Sequence, residues 1–574
     1  MKLTVSESKN TASLYITKSV RINGVSTSKI IETLGTYSEL KKMLGGRDPI
    51  EWGHERAKEL TLLDKEGRRE IIVKYSPVKQ INKDERRLYS GGYLFLQRIY
   101  HDLGIDKICG HISKRHKFGY DLDFVLSRLV YGRVIFPASK LATYELSKKF
   151  FEQPRFDIQH IYRALEVIGE ESDYIQAELY KHSTKVVKRM AGVLYYDCTN
   201  YFFEIEQEDG LKQYGYSKEH RPTPIVQMGL FMDGDGLPLA FSIQEGNTNE
   251  QTTLKPLEKK ILYDFELSKF VVCTDAGLSS AANRRFNDIG GRAFITTQSV
   301  KKLKKPLKEW ALDPRGWLLS GEASGKTGLY DITCIDESKH KESTFYKERW
   351  VNEDNLEQRL IVTYSIRYRD YQRVIRDGQI ARAAKLIKSN PTKLKKANQN
   401  DYKRFIVKVS ATDEGEVAEN DHYSIDTQAI ADEEAYDGFY AVCTNLEDDV
   451  AAIVKVNHRR WEIEECFRIM KLEFKARPVY VKRDERIKAH FLTCFISLLI
   501  YRILEKRLGE AYTCPNILSE LRDMNFLEVV GEGYVPAYTR TDFTDALHDA
   551  FGFRTDYEIL THRYMKNIFK VTKK

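Results

Sequence analysis

Residues 193–206 read VLYYDCTNYFFEIE, and the first ten of them carry a single charged residue, Asp197. Aromatic and β-branched residues favour strands, so the stretch predicts a largely buried strand. A carboxylate surrounded by the apolar residues of a strand is expected to form an ion pair, bind a metal or lie at an exposed strand end, because burying an unpaired charge is costly. Asp197 is therefore a candidate ligand, although acids at strand ends are also common without a function.

The sequence that follows predicts a regular succession of elements. Turn residues separate two further strands, a helix, a strand, a helix and a strand. The segments are PIVQMGLFMD (224–233), LPLAFSIQE (237–245), TTLKPLEKKILYDF (252–265), KFVVCTDAG (269–277), 279–288 and RAFITTQ (292–298). The order β-β-β-α-β-α-β predicts a mixed α/β sheet with a parallel crossover around the fourth strand.

A second carboxylate, Asp275, closes the fourth strand and is followed by glycine and a helix. Carboxylates at the carboxyl ends of neighbouring strands converge on one crevice of an α/β sheet. We therefore expect Asp197 and Asp275 to face the same crevice. Taken alone, each is also compatible with an ordinary strand-end acid.

A third candidate lies on a later helix, within AAIVKVNHRRWEIEECFRIMKLEF. Asn457, Arg460, Glu464, Arg468 and Lys471 are spaced three, four, four and three residues apart, which predicts one shared helical face. One interpretation is a solvated face with ion pairs around Glu464, each worth a few tenths of a kcal/mol. The other is a metal-binding carboxylate flanked by cations for phosphates.

The combination resembles a known family. RWEIEECFRIMK (460–471) resembles the R-x3-E-x6-K part of the Y-R-E-K signature of DDE insertion-sequence transposases, and the strand order resembles their RNase H-like core. Further segments similar to the family lie at 133–145, 214–230, 235–254 and 437–445. The tyrosine of the signature falls on Asn457.

The resemblance implies a catalytic triad of Asp197, Asp275 and Glu464 that binds two Mg²⁺ or Mn²⁺ ions. Asp197 would bridge both ions, and Asp275 and Glu464 would each hold one. It also implies metal-dependent cleavage at insertion-sequence ends and strand transfer into target DNA by a cut-and-paste route, with or without a DNA hairpin intermediate. The partners implied are double-stranded DNA, as terminal inverted repeats and target, and a second copy of the chain in a homodimer.

Phosphate contacts are expected from cations beside the triad. The resemblance assigns Arg460 and Lys471 to this role, while Asn457 could donate a hydrogen bond in place of the phenol. In GYSKEHRP (215–222), Lys218 and Arg221 are candidates too, the alternative being an exposed hairpin connection.

Two lysine-rich runs lie further along the chain. KKLKKPLK (301–308) and KSNPTKLKK (388–396) are ordinarily solvated surface. Near a nuclease core they become candidates for contacts with the DNA backbone.

The predicted fold class is a multidomain α/β protein. Its RNase H-like mixed sheet has flanking helices, is interrupted by a β-rich insertion and is preceded by a mainly helical region. The expected regions are an N-terminal β-hairpin region (1–50), a helical region expected to bind DNA ends (51–190), the first part of the core (191–299), the insertion (300–446), the last part of the core with the catalytic helix (447–510) and a C-terminal region (511–574).

Composition narrows the remaining possibilities. With 42% hydrophobic residues and a net charge of +8 over 574 residues, the chain predicts folded domains with a mild basic bias. The eight cysteines form no C-x-x-C pair, so no zinc knuckle is predicted. FLTCFISLLIY (491–501) is too short to span a bilayer and predicts a buried helix. We expect a cytoplasmic protein, associated with the bacterial nucleoid and not with a membrane.

Two alternatives remain open at the level of sequence. The first is an RNase H-like DNA nuclease that hydrolyses DNA without strand transfer. The second is a catalytically inactive DNA-binding derivative of the same fold. Only the products formed from DNA distinguish these from a transposase.

Overall fold

The computed structural model describes residues 1–8, 11–22, 25–66, 71–73, 75–321, 329–389, 400–411 and 417–574. The chain divides into two compact units. The first comprises Met1–Glu85 with Val529–Glu532, and the second Arg86–Glu528 with Gly533–Lys574.

The first unit is a small antiparallel sheet with two helices. Its elements are β1 (Lys2–Ser8), β2 (Thr11–Ile22), β3 (Val25–Thr36), α1 (Tyr37–Met43) and α2 (Pro49–Glu66). The strands pair in the order β1-β2-β3. Leu14 and Ile16 of β2 are fully buried in this unit.

The hairpin predicted within residues 11–40 is present as β2 and β3, with Ile22 opposite Val25. Its predicted turn, Asn23-Gly24, lies outside the described residues. The sequence did not single out β1, although its residues alternate between polar and apolar. The region 51–190, predicted to be helical, begins inside α2, which is rich in polar residues.

The second unit begins with a short strand and a group of helices. These are β4 (Leu88–Ser90), α3 (Tyr93–Asp102), α4 (Ile105–Arg115), α5 (Leu122–Ile135), α6 (Lys140–Ser147), α7 (Ile158–Glu170) and α8 (Ser172–Val186). The predicted helical character of this region is confirmed. Almost every residue of α5 is buried, which is typical of a central helix.

The predicted β-β-β-α-β-α-β succession follows in full. Its elements are β5 (Val193–Phe202), β6 (Ile225–Asp233), β7 (Pro238–Glu245), α9 (Glu250–Asp264), β8 (Val271–Thr274), α10 (Ala281–Phe286) and β9 (Ala293–Gln298). The strands lie in the order β9-β8-β5-β6-β7. β6 is antiparallel to β5 and β7, whereas β8 is parallel to β5 and β9. The sheet therefore has the order and directions of the predicted RNase H-like core.

The segment predicted as a β-rich insertion contributes both strands and helices. They are α11 (Lys305–Leu312), β10 (Leu318–Leu319), α12 (Glu337–His340), β11 (Phe345–Glu353), β12 (Leu356–Tyr364), α13 (Ile366–Ser389), β13 (Ile406–Ala411), β14 (Val417–Ile425), α14 (Thr427–Glu434) and β15 (Phe439–Thr444), with 3₁₀ turns at Val300–Lys302 and Tyr402–Phe405. The longest helix of this segment, α13, is rich in basic residues.

Most of the inserted strands continue the central sheet instead of forming a sheet of their own. β15 pairs with β9, and β12, β11 and β10 follow outward, giving a nine-stranded sheet. β13 and β14 form a separate two-stranded ladder. The open edge of β9 explains this arrangement, because its unpaired backbone groups need partners.

The rest of the chain is mainly helical. It contains α15 (Val450–His458), α16 (Trp461–Arg468), a π-helical turn (Ile469–Glu473), α17 (Asp484–Arg507), α18 (Cys514–Asp523), β16 (Asn525–Val529), β17 (Gly533–Pro536), α19 (Asp542–Phe551), β18 (Leu560–Thr561) and α20 (His562–Thr572). A small sheet has the order β18-β17-β16-β4.

Helix α17 forms the centre of the core. By length and composition it could cross a membrane, but its apolar stretch is almost entirely buried against the protein. It packs on α3, α5 and α7. The buried helix predicted at 491–501 is therefore confirmed, and it extends to Asp484–Arg507.

The single helix predicted around Glu464 is interrupted twice. Between α15 and α16 the backbone tightens, because the amide of Ile463 bonds to the carbonyl of Arg460, three residues back. After α16 the helix widens into the π-helical turn, in which the Phe474 amide donates to the carbonyl of Ile469, five residues back. The five residues predicted on one face are therefore distributed over α15, α16, the turn between them and the π-helical turn, although Asn457, Arg460 and Glu464 still line one cleft.

Candidate active site

The two predicted aspartates lie at the same level of adjacent parallel strands. Tyr195 of β5 is paired with Cys273 of β8. Asp197 lies two residues after Tyr195, and Asp275 lies two residues after Cys273. The two aspartates therefore occupy equivalent positions on the neighbouring strands. Their charges interact, since Asp275 contributes to the pKa of Asp197. The strand order thus brings the two carboxylates together.

Asp197 is held in an environment that disfavours its charge. Burial raises the pKa of Asp197 to about 6; nearby Lys218 opposes this and Asp275 adds to it. Its Oδ1 accepts a hydrogen bond from the Cys198 amide at 2.8 Å. Arg460 also stabilises the charged form. A carboxylate kept in such surroundings is typical of a functional site.

Asp275 is fixed by the turn that ends β8. Its Oδ1 accepts a hydrogen bond from the Leu278 amide at 3.0 Å. Its backbone carbonyl accepts one from the Thr296 hydroxyl of β9 at 3.3 Å. The carboxylate is therefore anchored to the loop between β8 and α10.

Glu464 lies on α16 and is more open to solvent than the aspartates. Its side chain is 58% exposed and forms an ion pair with Arg460 at 3.3 Å. The charge of Arg460 also acts on Asp197. Glu464 and Asp197 thus both interact with Arg460. The Arg460–Glu464 ion pair is also the one expected if this helical face were simply solvated.

Two lysines flank the strand that carries Asp197. Nζ of Lys218 donates to the carbonyl of Cys198 at 2.6 Å and forms an ion pair with Glu250 at 3.0 Å. Nζ of Lys471 donates to the hydroxyl of Thr199 at 2.6 Å. Both ammonium groups therefore contact β5 within two residues of Asp197.

The two lysines differ in their electrostatic surroundings. The pKa of Lys471 is lowered to about 8 by burial and by the charge of Lys218, against an opposing contribution from Asp197. The pKa of Lys218 is raised, because Glu250 and Asp197 outweigh the opposing effect of burial. Lys218 is thus held in its charged form by two carboxylates, whereas Lys471 has one carboxylate, Glu219, at 3.9 Å.

The segment that contains Lys218 is a tight connection. The Ser217 hydroxyl accepts hydrogen bonds from the amides of Glu219 and Arg221 at 3.3 and 3.2 Å. His220 has a positive φ of 55°. Arg221 is exposed, and its guanidinium lies 4.2 Å from the centre of the Phe202 ring. Arg221 is therefore accessible, while its neighbours maintain the turn.

Asn457 points inward. It is 4% exposed, and its Nδ2 donates to the hydroxyl of Tyr440 at 2.8 Å. The Tyr440 hydroxyl also lies 2.8 Å from the Thr297 hydroxyl, and its ring stacks on His458. The sequence analysis overlooked Tyr440, although it lies in the segment 437–445 that resembles the family. A phenol is thus held beside the position where the signature has its tyrosine.

A cleft of about 610 Å³ opens beside α16. Its wall combines cations, aromatic rings and Glu464, a mixture suited to phosphates and bases. The lining residues are Glu342, Thr344, Thr363, Ser365, Arg367, Tyr368, Tyr371, Gly438, Tyr440, Asn457, His458, Arg460, Trp461 and Glu464. Trp461 is exposed and lines this cleft.

Ligand atoms of the three predicted carboxylates are not gathered within 4.8 Å of one another. Among the described residues, the group that meets this spacing is Asp545, His548 and Asp556, in the C-terminal region. Arg554 forms ion pairs with both of these aspartates, at 2.7 and 2.6 Å. Because a cation already occupies that cluster, it is a poor site for a metal.

The two lysine-rich runs fall in different parts of the insertion. In 301–308, Lys304 forms an ion pair with Glu353 at 3.5 Å and Lys301 lies 5.2 Å from the Tyr436 ring centre. Of 388–396, residues 390–396 lie outside the described part of the chain. The described residues of the two runs are not among those that line the cleft described above.

Comparison with known proteins gives one extensive match. The family described as "Transposase DDE domain" matches residues 201–500. No curated protein matches the chain significantly. A solved structure of the piggyBac transposase synaptic complex with hairpin DNA aligns with a TM-score of 0.32 and 8% identity, covering 84% of each chain. At that TM-score the likeness supports no argument about this chain.

Proposed function

We propose that this chain, which belongs to the family of DDE-domain transposases, cleaves DNA at insertion-sequence ends and joins them to target DNA by a cut-and-paste route. The observation that carries the proposal is the placement of Asp197 and Asp275 two residues beyond one paired position of adjacent parallel strands. The lysines on either side of Asp197 supply charge for the scissile phosphate.

The donor set suits a divalent cation of the family's kind. The charge of Asp275 contributes to raising the pKa of Asp197, so the two carboxylates repel each other. A cation bound between them would remove this repulsion. Oxygen donors favour Mg²⁺ or Mn²⁺ over zinc. Asp197 and Asp275 would hold two such ions with Glu464, which would exchange its Arg460 partner for the metal. When bound, the ions polarise the phosphate and activate the attacking oxygen.

The cations of the site position the DNA strand. Lys471, with its lowered pKa and one hydrogen bond to Thr199, donates to a phosphate oxygen next to Asp197. Arg460 would be available to a phosphate if Glu464 held the metal in place of its ion pair. The exposed Arg221 and the lysine-rich run 301–308 contact the backbone further away.

Asn457 acts indirectly. Its amide donates to the Tyr440 hydroxyl, so Asn457 positions that side chain in the wall of the cleft. The helices α3–α8 are the region proposed to bind terminal inverted repeats. Two copies of the chain would pair two transposon ends.

Cleavage and joining can be tested on one substrate. The purified chain is incubated with labelled end fragments, a plasmid target and Mg²⁺ or Mn²⁺. The proposal expects nicked ends and joined product, both lost in Asp197→Asn, Asp275→Asn and Glu464→Gln. Glu465→Gln is the matched control, since Glu465 is on the same helix and pairs with Arg468 at 2.5 Å.

The two alternative functions predict different products. Cleavage without joined product indicates a nuclease. Normal binding of end DNA without nicking, by wild type as well as the variants, indicates a DNA-binding protein without catalytic activity. Either result contradicts the proposal.

A further inference from the structure

A second cavity, of about 300 Å³, lies between the end of α5, the start of α6 and the segment that follows the π-helical turn. Among its lining residues are Arg133, Lys140, Lys475, Arg477 and His490. Basic side chains therefore dominate a partly enclosed space, and none of the described residues that line it is acidic.

Arg133 is buried without a carboxylate partner. It is 4% exposed, and its terminal nitrogens donate to the backbone carbonyls of Phe474, Lys475 and Ala138 at 3.0, 3.4 and 3.3 Å. Its Nε is buried and has no hydrogen-bond acceptor. Burying a charged guanidinium costs free energy unless each of its N–H groups has a hydrogen-bond acceptor. The Nε–H of Arg133 has none, so part of that cost is not offset.

Lys140, at the first position of α6, is buried in the same place. It is 6% exposed, and its Nζ lies 3.5 Å from Nδ1 of His490. Nε2 of His490 lies 3.0 Å from the Ala476 carbonyl, so it donates there and leaves Nδ1 as an acceptor for Lys140. Burial, together with the charge of Arg133, lowers the pKa of Lys140 to about 7.

The cavity is connected to the aspartate site by an ion-pair network. Arg477, on its wall, forms an ion pair with Glu219. Glu219 in turn lies 3.9 Å from Nζ of Lys471, which contacts the Asp197 strand. Glu219 offsets the charge of Arg477, so Arg133 and Lys140 remain the buried cations of this lining without an acidic neighbour.

We propose that this cavity is a phosphate-binding site that takes one phosphate group of a DNA strand. A tetrahedral oxyanion would accept from Nε of Arg133 and Nζ of Lys140, and it would also meet the N-terminal end of α6. The volume is at the lower limit for small-ligand pockets, which fits a nucleotide's phosphate and sugar but excludes a base pair. The DNA origin of the phosphate rests on the proposed function.

The site is tested by binding without catalysis. Inorganic phosphate is titrated calorimetrically into the full chain in EDTA, with a 5′-phosphorylated single-stranded oligonucleotide as competitor. We expect saturable phosphate binding that the oligonucleotide displaces. Lys140→Met should weaken it about tenfold, the effect of losing a charge-assisted hydrogen bond. The exposed Lys488→Met on α17 is the matched control and should leave affinity unchanged.

The outcomes are distinct from those of the cleavage assay. If Lys140→Met folds poorly, Lys140→Gln, which keeps a donor for His490, replaces it. Equal phosphate affinity in wild type and both Lys140 variants overturns the site. Phosphate binding that the oligonucleotide cannot displace overturns the DNA assignment. Asp197→Asn should retain phosphate binding while losing cleavage, so failure of one proposal leaves the other measurable.

Discussion

At Asp197 the fold places a carboxylate where its charge costs stability. Burial raises its pKa to about 6, well above that of an unfolded aspartate. The folded state therefore binds more protons than the unfolded state between about pH 4 and 6, and the free energy of unfolding falls as pH rises through that window. Such a cost is expected of a group retained for chemistry.

Asp197→Asn should therefore stabilise the metal-free chain. At pH 8 we expect the free energy of unfolding to increase by about 2–3 kcal/mol, the equivalent of roughly two pKa units. At about pH 3 the gain should nearly disappear, because wild-type Asp197 is then mostly protonated in both the folded and the unfolded state. Urea unfolding in EDTA at the two pH values measures this. A gain that is equal at both would contradict the charge argument.

The Tyr440 hydroxyl joins the end of α15 to β9 through Asn457 and Thr297. Tyr440→Phe leaves the buried Asn457 amide without this acceptor, which should cost about 1 kcal/mol of unfolding free energy. DNA cleavage should slow about tenfold. Arg460 lies three residues after Asn457, so a shift of Asn457 would displace the Arg460 side chain from the scissile phosphate, and small displacements of a catalytic group are costly. Urea unfolding and single-turnover cleavage measure the two effects.

Tyr371→Phe is the control for that substitution. Tyr371 lines the same cleft but is largely exposed. Its loss of a hydroxyl should leave stability within about 0.5 kcal/mol of wild type. Equal effects of the two substitutions would show that the contact of Tyr440 with Asn457 has no structural role.

At the level of elements, α7 approaches the start of α17 closely. A Cβ on Gly169 would lie 2.1 Å from the Glu485 carbonyl oxygen, so Gly169→Ala must separate the helices. We expect it to lower the free energy of unfolding by about 1–3 kcal/mol, the usual cost of overpacking. Gly110→Ala, on α4 with nothing within 4 Å of the new Cβ, should instead raise it by about 0.5–1 kcal/mol.

Thermal or urea unfolding of both glycine variants tests the contact. Gly110→Ala reports helix propensity alone, so the difference between the variants isolates the helix packing. If Gly169→Ala were as stable as Gly110→Ala, α7 and α17 could not be in the contact described.

The sequence predicted elements with a clear local pattern and missed those defined by distant partners. The strands β5–β9 and their order followed from alternation and turns, and with them the meeting of Asp197 and Asp275. That β10–β12 and β15 continue the same sheet could not be predicted, because edge pairing leaves no local signal. The hydrogen bond from Asn457 to Tyr440 could not be predicted either, because the two residues meet only through the fold, and helical spacing does not reveal it.

At the scale of the whole molecule, function depends on local charge more than on net charge. The excess of +8 is small for 574 residues. Buried or half-buried cations gather instead around Asp197 and in the cavity beside Lys140. DNA affinity should therefore be governed by a few phosphate contacts, and each cation removed should reduce the salt slope by about one.

Divalent cations should stabilise the whole chain, because a ligand that binds only the folded state raises its stability. At one hundred times its dissociation constant, Mg²⁺ should add about 2.7 kcal/mol of unfolding free energy and raise the melting temperature by a few degrees. Asp197→Asn and Asp275→Asn should lose this shift, whereas Glu465→Gln should keep it, which differential scanning calorimetry after EDTA treatment measures. Since metal binding also removes the cost of the Asp197 charge, the shift should be larger at pH 8 than at pH 5. An equal shift in wild type and Asp197→Asn would place the ion elsewhere and remove Asp197 from the metal site.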